Sequence, residues 1–463
     1  MINTKEFLTT KLRKYQQQQN HTFISSLDIK RTKWLFFALC FYLISQGFTI
    51  PVLPIGTWAT WPNLSDLATC LLLLAFVINL NSQKSLVSSG NKQIFYLLIF
   101  ILLASTLSHL GYLNNLTDKD AVGTRLGIYQ LYRLVQFIVI FWVTAQVPLT
   151  PERLNLLKKI ITSVLIFVCL SIILTFAGIV PLGVMIAHLP QDPSIAGPWA
   201  SFASEVHAGE GWGTIGYNHA YVSVQVIMLV SLRIHLGLGK QEVFNFCLLF
   251  LSIFACLLSG SRAGLFSMIF FAAIYLLKKP AYMGVVITIA ILLLSIGAIA
   301  SLPNLASGNT ETSIIERQST LLDAGNTENL SGRDDIWVER LAFLDEEPIR
   351  WLVGIGFGAA WDHWSSGESA HMLPLHIIVE NGIIGLLIFC VWIYQILYYL
   401  YRYEPMEKSI YWVTITLLLG SLTQETFYPV TAFGNFTGFY LCSVALALRS
   451  RITVQESSAN QRL

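Results

Sequence analysis

The chain has 463 residues, of which 54% are hydrophobic and only 12% are Asp, Glu, Lys or Arg. Soluble domains carry about 25% charged residues, so this chain lacks the charge needed to cover a water-facing surface. The mean hydropathy of +0.60 also excludes a disordered chain, a disulfide-stapled secreted protein and a soluble nucleic-acid binder. The composition therefore predicts an all-α polytopic membrane protein that contacts membrane lipid and has no nucleic-acid partner.

Twelve apolar segments predict about twelve transmembrane helices, because a helix needs ~20 mostly apolar residues to cross the bilayer core. The segments lie near residues 34–53, 64–81, 93–113, 126–147, 160–180, 217–236, 243–259, 262–277, 281–301, 372–400, 409–424 and 434–449. Between the ninth and tenth spans we predict a large, partly helical extracytoplasmic loop. The predicted organisation is a cytoplasmic tail at 1–33, spans 1–9 at 34–301, the loop at 302–371, spans 10–12 at 372–449 and a cytoplasmic tail at 450–463.

The distribution of basic residues predicts the orientation of these spans. The 29 basic and 27 acidic residues give a net charge of +2, which suggests no partner by itself. If twelve spans alternate from a cytoplasmic N-terminus, the cytoplasmic segments hold about three times as many basic residues as the outer ones, as the positive-inside rule requires. Residues 1–33 are too long and too polar for a cleavable signal peptide. Both termini are therefore predicted to be cytoplasmic.

The predicted outer loop is acidic and contains one helical pattern. Residues 302–370 hold twelve acidic residues, four arginines and no lysine. A helix predicted to begin at Ser331 has one mixed face, which we expect to pack on the membrane domain or to lie at its surface. That face carries Arg333, Trp337, Arg340, Leu341 and Leu344.

Two arginines lie where the charge distribution disfavours them. Arg262 opens an apolar segment at the outer face, although the N-terminal end of a helix prefers an anion. A bound anion would offset both the outer-face location of this cation and its position at a helix N-terminus. Alternatively, Arg262 extends its side chain to the membrane interface or pairs with an acidic residue of the loop. The planar guanidinium of Arg333 can bind a phosphate group through two parallel hydrogen bonds. Alternatively, Arg333 forms a surface salt bridge with the two aspartates beside it. Arg340 and Arg133 are weaker candidates for the same pocket.

Two further polar residues lie at or inside the membrane boundary. His371 is placed where the chain re-enters the membrane, and a histidine can accept a proton from a hydroxyl at neutral pH. A histidine at an interface is also commonly tolerated without a role. Glu380 is an intramembrane carboxylate and so a functional candidate, although it can instead pair with an arginine or cap a helix break at Gly382. The glycines of Gly354–Gly358 predict a turn or a close backbone approach.

The order of these parts resembles the O-antigen ligase and polymerase family over roughly residues 210 to 400. The matching stretches are Leu258–Gly264, Gly332-Arg333 followed by Trp337, Gly354–Gly358, Ala370-His371 and Glu380–Gly385. The spacing from the histidine to the last two glycines also matches the family's histidine motif. One position departs from it, because Met372 follows the histidine where the family often has Asn, Ser or Gln. This departure puts the fine positioning of His371 in question.

The resemblance implies a metal-independent glycosyltransferase without a cofactor. Its donor would be a glycan linked to undecaprenyl diphosphate, and its acceptor a sugar hydroxyl of another glycan or of a lipid-anchored one. The reaction would occur at the outer face of the bacterial cytoplasmic membrane, in polymerisation or ligation of O-antigen or exopolysaccharide, with polysaccharide export machinery as a further partner.

Residue by residue, the resemblance implies that Arg262 and Arg333 hold the diphosphate and that His371 acts as base or organises the acceptor hydroxyl. Direct attack on the anomeric carbon would invert its configuration. The alternative from another class is a secondary transporter with twelve transmembrane helices, but such proteins usually contain internal repeats, and the two halves of this sequence show no convincing similarity. The sequence leaves open whether the acceptor is that of a ligase or a polymerase.

Overall fold

The computed structural model describes part of the chain, and almost all of that part is helical. The described residues are 22–24, 32–48, 63–79, 87–115, 122–179, 211, 213–214, 219–237, 242–277, 333–360, 370–404, 408–429, 436–449 and 452–454. Their helices are α1 (Lys33–Ser45), α2 (Leu64–Asn79), α3 (Ser89–Asn115), α4 (Val122–Gln146), α5 (Pro151–Phe176), α6 (His219–Gly237), α7 (Glu242–Leu258), α8 (Arg262–Leu277), α9 (Arg333–Asp345), α10 (Pro348–Val353), α11 (Leu373–Tyr403), α12 (Ser409–Gly420) and α13 (Phe436–Ala447).

One pair of short strands departs from the all-α prediction. β1 (Thr22–Ile24) pairs in parallel with β2 (Ile452–Val454), and Thr22 lies opposite Ile452. The pairing joins the two terminal tails. Periodicity could not predict it, because each strand has only three residues and its partner lies at the other end of the chain.

The helices agree with a protein that crosses a membrane several times. Eleven of the twelve predicted apolar segments correspond to helices, and the ninth, 281–301, lies outside the described residues. Within the described part, four helices are long and apolar enough to cross a bilayer, and seven apolar helices are shorter. The four longer candidates are Ser89–Asn114, Gly127–Gln146, Pro151–Phe176 and Leu373–Tyr403. A helical membrane protein is therefore confirmed, while the count of twelve spans stays a prediction.

A buried ion pair joins α2 to α4. The guanidinium of Arg133, which is 1% exposed, donates to the carboxylate of Asp66 and to Gln136 Oε1 at 2.8 Å. Gln136 Nε2 donates to the same carboxylate at 2.7 Å. Charges in an apolar interior need such partners. Arg133, predicted as a pocket residue, is thus placed in a contact between two helices.

Helix α11 is kinked at Gly382, and the chain after α10 completes the break. Gly382 has a φ of 65° within the helix. The backbone N–H groups of Ile355 and Gly356 donate to the carbonyls of Val379 and Glu380, both at 2.9 Å. Backbone polar groups at membrane depth must all be paired, so these two bonds replace the ones that the kink removes. They also fasten the segment that follows α10 to the core of the protein.

The face predicted for α9 is correct in part. Arg340 and Leu344 are buried and Trp337 is half-buried, but Leu341 is 40% exposed. The buried face is narrower than predicted because α9 packs on one side, against the apolar cluster at the start of α11 that includes Ala370, Leu375 and Val379.

Candidate active site

A serine-rich turn between α7 and α8 places Arg262. Ser259 Oγ donates to the carbonyl of Cys256 at 2.7 Å, and Gly260 has a φ of 76°. Ser261 caps α8, because its Oγ accepts the backbone N–H of Gly264 at 3.1 Å. Arg262 is therefore the first residue of α8 and is half-buried. The turn keeps a cation at the positive end of a helix, as the sequence predicts.

The same turn packs tightly on α6. Ser223 Oγ lies 3.1 Å from Ser259 Oγ. A Cβ atom at Gly264 would lie 2.2 Å from the Cβ of Ser223, so only glycine permits this approach of α8 to α6. Two residues before Ser223 on α6 lies Tyr221, which is buried. The contact brings the beginning of α8 close to the beginning of α6.

His371 has a strained backbone just before α11. Its φ is 48°, a left-handed conformation that histidine adopts more often than most non-glycine residues. The next residue, Met372, is extended, and the backbone N–H of Leu373 donates to the carbonyl of Ser421 at 2.9 Å. Strain of this kind is often found at functional sites, where the surrounding structure over-determines the backbone. The side chain of His371 is 33% exposed.

Glu425 lies beside His371, and the sequence analysis did not identify it. Its Oε2 is 4.0 Å from Nδ1 of His371, and the residue is 4% exposed. The phenol of Tyr221 lies within electrostatic reach of both Glu425 and Arg333. The only sequence signal was a carboxylate in the short break between the last two apolar segments.

Helix α9 is held against the segment that carries His371. Trp337 Nε1 donates to the carbonyl of Ala370 at 2.9 Å. Arg333, the first residue of α9, is half-buried near Tyr221. The predicted residues Arg262, Arg333 and His371 thus occur at the beginnings of three helices that are linked through α6 and the chain around Glu425.

Arg340 is buried on α9 and forms an ion pair. Its guanidinium lies 3.1 Å from the carboxylate of Glu339, whose side chain is exposed. The burial of Arg340 agrees with a role in packing α9, and its predicted role in a pocket stays a prediction.

Glu380 is completely buried and contacts three segments. Its carboxylate accepts a hydrogen bond from the hydroxyl of Tyr428 and lies 3.7 Å from Nε2 of His376. The backbone N–H groups of Gly358 and Ala360 also interact with it. Among the described residues its partners are therefore a tyrosine, a histidine and backbone amides, in place of the arginine considered from the sequence.

Tyr428 connects Glu380 to the turn that contains Glu425. Burial, followed by the charge of Glu380, raises the pKa of Tyr428 well above its usual value of 10, so the phenol stays a donor. The backbone N–H of Tyr428 donates to the carbonyl of Glu425 at 3.1 Å, which places both residues in one turn. Glu380 thereby fixes the turn that presents Glu425 to His371.

The glycines of Gly354–Gly358 form the predicted close backbone approach. Gly354, Gly356 and Gly358 all have positive φ, and a Cβ at Gly354 would lie 2.4 Å from the carbonyl carbon of Glu380. His109 Nδ1 lies 2.7 Å from the carbonyl oxygen of Phe357, which also holds this segment to α3. The predicted close backbone approach is therefore confirmed.

An apolar cavity of about 420 Å³ lies next to this anchored segment. It extends between α3, α4 and α11, and its wall includes Ser108, Tyr112, Asn381, Trp392 and Tyr428. Few polar groups line it, so it suits a hydrocarbon chain better than a glycan.

The central part of the chain, which carries most of these residues, matches a known protein family. Residues 247–390 match the family model described as O-antigen ligase. This part of the chain is similar to the O-antigen ligase family. The matched part includes Arg262, Arg333, His371 and Glu380, whereas Tyr221 and Glu425 lie outside the matched residues. No curated protein matches the chain. The resemblance to the O-antigen ligase family, predicted from motif order, is confirmed for residues 247–390, and the match suggests a glycosyltransferase-like activity in a multi-pass bacterial inner-membrane protein.

Proposed function

We propose that the protein transfers a glycan from undecaprenyl diphosphate to an acceptor sugar hydroxyl at the outer face of the cytoplasmic membrane. The observation that carries the proposal is the placement of Arg262 and Arg333 at two helix beginnings, in the same linked arrangement as His371. Helix N-termini and guanidinium groups together favour a multiply charged anion such as a diphosphate. The family match supports the same reaction class.

The reaction we propose is one inverting displacement without a metal. His371 accepts the proton of the acceptor hydroxyl while its oxygen forms a bond to the anomeric carbon of the donor. The bond from that carbon to the diphosphate oxygen breaks, and undecaprenyl diphosphate leaves with the electron pair. Arg262 and Arg333 stabilise the negative charge that develops on the leaving group, which is electrostatic catalysis by pre-organised donors.

The function is tested with the purified full-length protein in lipid vesicles. The vesicles receive a glycan linked to undecaprenyl diphosphate and an acceptor glycan, and the products are separated by size. Transfer with release of undecaprenyl diphosphate is expected. Movement of the intact donor across the vesicle without transfer would instead indicate a transporter. In a deletion strain, single repeats still attached to the lipid anchor indicate a lost polymerase, and absence of attached polymer indicates a lost ligase.

Replacing Arg262 by lysine is expected to lower the transfer rate by about 100-fold, the lower end of the roughly 10²- to 10³-fold effect of removing one donor to developing charge. Lysine keeps the charge but cannot form two parallel bonds to a phosphate group. The rate is measured at saturating donor. The matched control is Arg350→Lys, because Arg350 pairs at 2.9 Å with Glu346 and Glu347 and lies outside the proposed site. Equal rates for the two lysine variants would contradict the role of the guanidinium fork.

A further inference from the structure

One face of the short helix α10 is apolar and exposed. Ile349, Leu352 and Val353 lie on this face at i, i+3 and i+4, and each is between 48% and 57% exposed. Single exposed apolar side chains are common on protein surfaces, but a contiguous apolar face marks contact with lipid or with another protein. The level of α10 relative to the bilayer decides between these two.

The kink of α11 gives the level of α10 in the membrane. Arg402 is exposed in the last turn of α11 and marks one boundary of the hydrocarbon core, because an arginine near a helix end extends its guanidinium to the interface. Gly382 lies 20 residues before Arg402, which is about 30 Å along a helix. The hydrocarbon core is also about 30 Å thick, so Gly382 lies near its opposite boundary.

The C-terminal end of α10 lies at the same level as this kink. A Cβ atom at Gly382 would lie 2.1 Å from the carbonyl oxygen of Leu352 and 2.4 Å from the backbone nitrogen of Val353. The backbone N–H of Gly354 donates to the carbonyl of Arg350 at 2.8 Å, and the next two N–H groups donate to α11. Such pairing is what a segment at the edge of the hydrocarbon core needs. The exposed apolar face of α10 thus lies at a level that lipid occupies.

The charged groups of this segment collect at the opposite end of α10. The guanidinium of Arg350 donates to the carboxylates of Glu346 and Glu347, both at 2.9 Å. The Nε1–H of Trp351 donates to the carboxylate of Asp345 at 3.0 Å, and tryptophan is a residue that membrane interfaces favour. These three acidic residues all precede α10 in the chain. Polarity therefore decreases toward the C-terminal end of α10, as expected of a helix that enters a bilayer at an angle.

We propose that α10 is inserted at an angle into one leaflet of the bilayer, where Ile349, Leu352 and Val353 contact lipid hydrocarbon. The partner of this surface is the membrane itself, and the surface is separate from the residues proposed for glycan transfer. In the orientation predicted from the basic residues, the leaflet is the outer one. Insertion fixes the height of α9 relative to the membrane, because only two residues separate α9 from α10.

The proposal is tested by spin labelling of the full-length protein in phospholipid vesicles. The exposed cysteines Cys70, Cys247 and Cys390 are replaced by alanine, which leaves only buried thiols. A nitroxide is then attached to Ile349→Cys or to Leu352→Cys. Collision of the nitroxide with molecular oxygen reports lipid, and collision with a water-soluble nickel complex reports water. We expect a high ratio of oxygen to nickel collisions at both positions, and a higher ratio at 352 than at 349.

Two control positions of matched exposure calibrate this ratio. Leu387 is 59% exposed and lies five residues after the kink of α11, so a label at Leu387→Cys gives the value for lipid. The side chain of Glu347 is 58% exposed at the beginning of α10, so a label at Glu347→Cys gives the value for water. The ratio at Leu352→Cys is expected to approach that of Leu387→Cys and to exceed that of Glu347→Cys several-fold.

Two results would overturn the proposal. Nickel collisions at Leu352→Cys as frequent as at Glu347→Cys would show that water covers the face. Infrequent collisions with both reagents would show that a second copy of the chain or another protein covers it. The labels at 349 and 352 replace exposed side chains and are measured independently, so one variant that fails to fold leaves the other to decide. None of these measurements depends on glycan transfer, so their failure and a failure of the proposed function are distinguishable.

Discussion

Replacing His371 by alanine is expected to reduce glycan transfer by about 10²- to 10⁴-fold, the range that general base catalysis contributes. The residue lies at the beginning of α11, beside the buried carboxylate of Glu425, and its left-handed backbone is held by the surrounding structure. Removal of the imidazole leaves the proton of the acceptor hydroxyl without a base. The measurement is the initial rate of transfer from a lipid-linked donor into a glycan acceptor.

The left-handed backbone at position 371 requires a control variant whose side chain tolerates this conformation. Asparagine adopts the left-handed conformation more readily than alanine but cannot accept the proton as a base. His371→Asn is therefore expected to elute as folded protein, to retain donor binding and to be as inactive as His371→Ala. An asparagine variant with close to wild-type turnover would show that His371 has a structural role and that the base lies elsewhere.

Replacing Gly382 by alanine is expected to detach the α9–α10 segment from α11. A Cβ at Gly382 would lie 2.1 Å from the carbonyl oxygen of Leu352, and the φ of 65° is unfavourable for alanine by roughly 1–2 kcal/mol. The clash adds to this strain, because the neighbouring atom is backbone and cannot rotate away. Detachment would also remove Trp337 from Ala370, so we expect transfer to fall at least about tenfold, as a 1.4 kcal/mol loss implies.

Limited proteolysis of the protein in detergent measures this detachment directly. Cleavage within residues 333–360 is expected to become much faster in Gly382→Ala, while cleavage elsewhere keeps its rate. Gly111→Ala is the matched control, because Gly111 lies in helix α3 with open space around the position of a Cβ. Alanine is there expected to keep or slightly raise the stability. Equal protection of the loop segment in both variants would show that the close approach at Gly382 is not required.

Much of the helical structure was predictable because apolar composition is a local property. Helices α3, α5 and α11 follow directly from continuous apolar segments. The two-stranded pairing of Thr22–Ile24 with Ile452–Val454 could not be predicted, because it depends on where the two ends of the chain meet.

The candidate site was predictable where a residue violates a local rule. Arg262 contradicts the charge bias, and Glu380 contradicts the apolar character of its helix, so both could be singled out from the sequence. Glu425 violates no comparable rule in its own short segment. Its importance follows from one distance to His371, which lies 54 positions earlier in the chain.

The sequence by itself determined that this is a helical membrane protein whose residues 247–390 match the O-antigen ligase family. This was possible because hydrophobicity, capping residues and motif order are local properties of neighbouring residues in the sequence. Only the tertiary structure decided the partners of the polar residues: Arg133 with Asp66, Glu380 with Tyr428, and His371 with Glu425. A charge in an apolar environment requires a partner, but the packing of distant helices decides which residue that partner is.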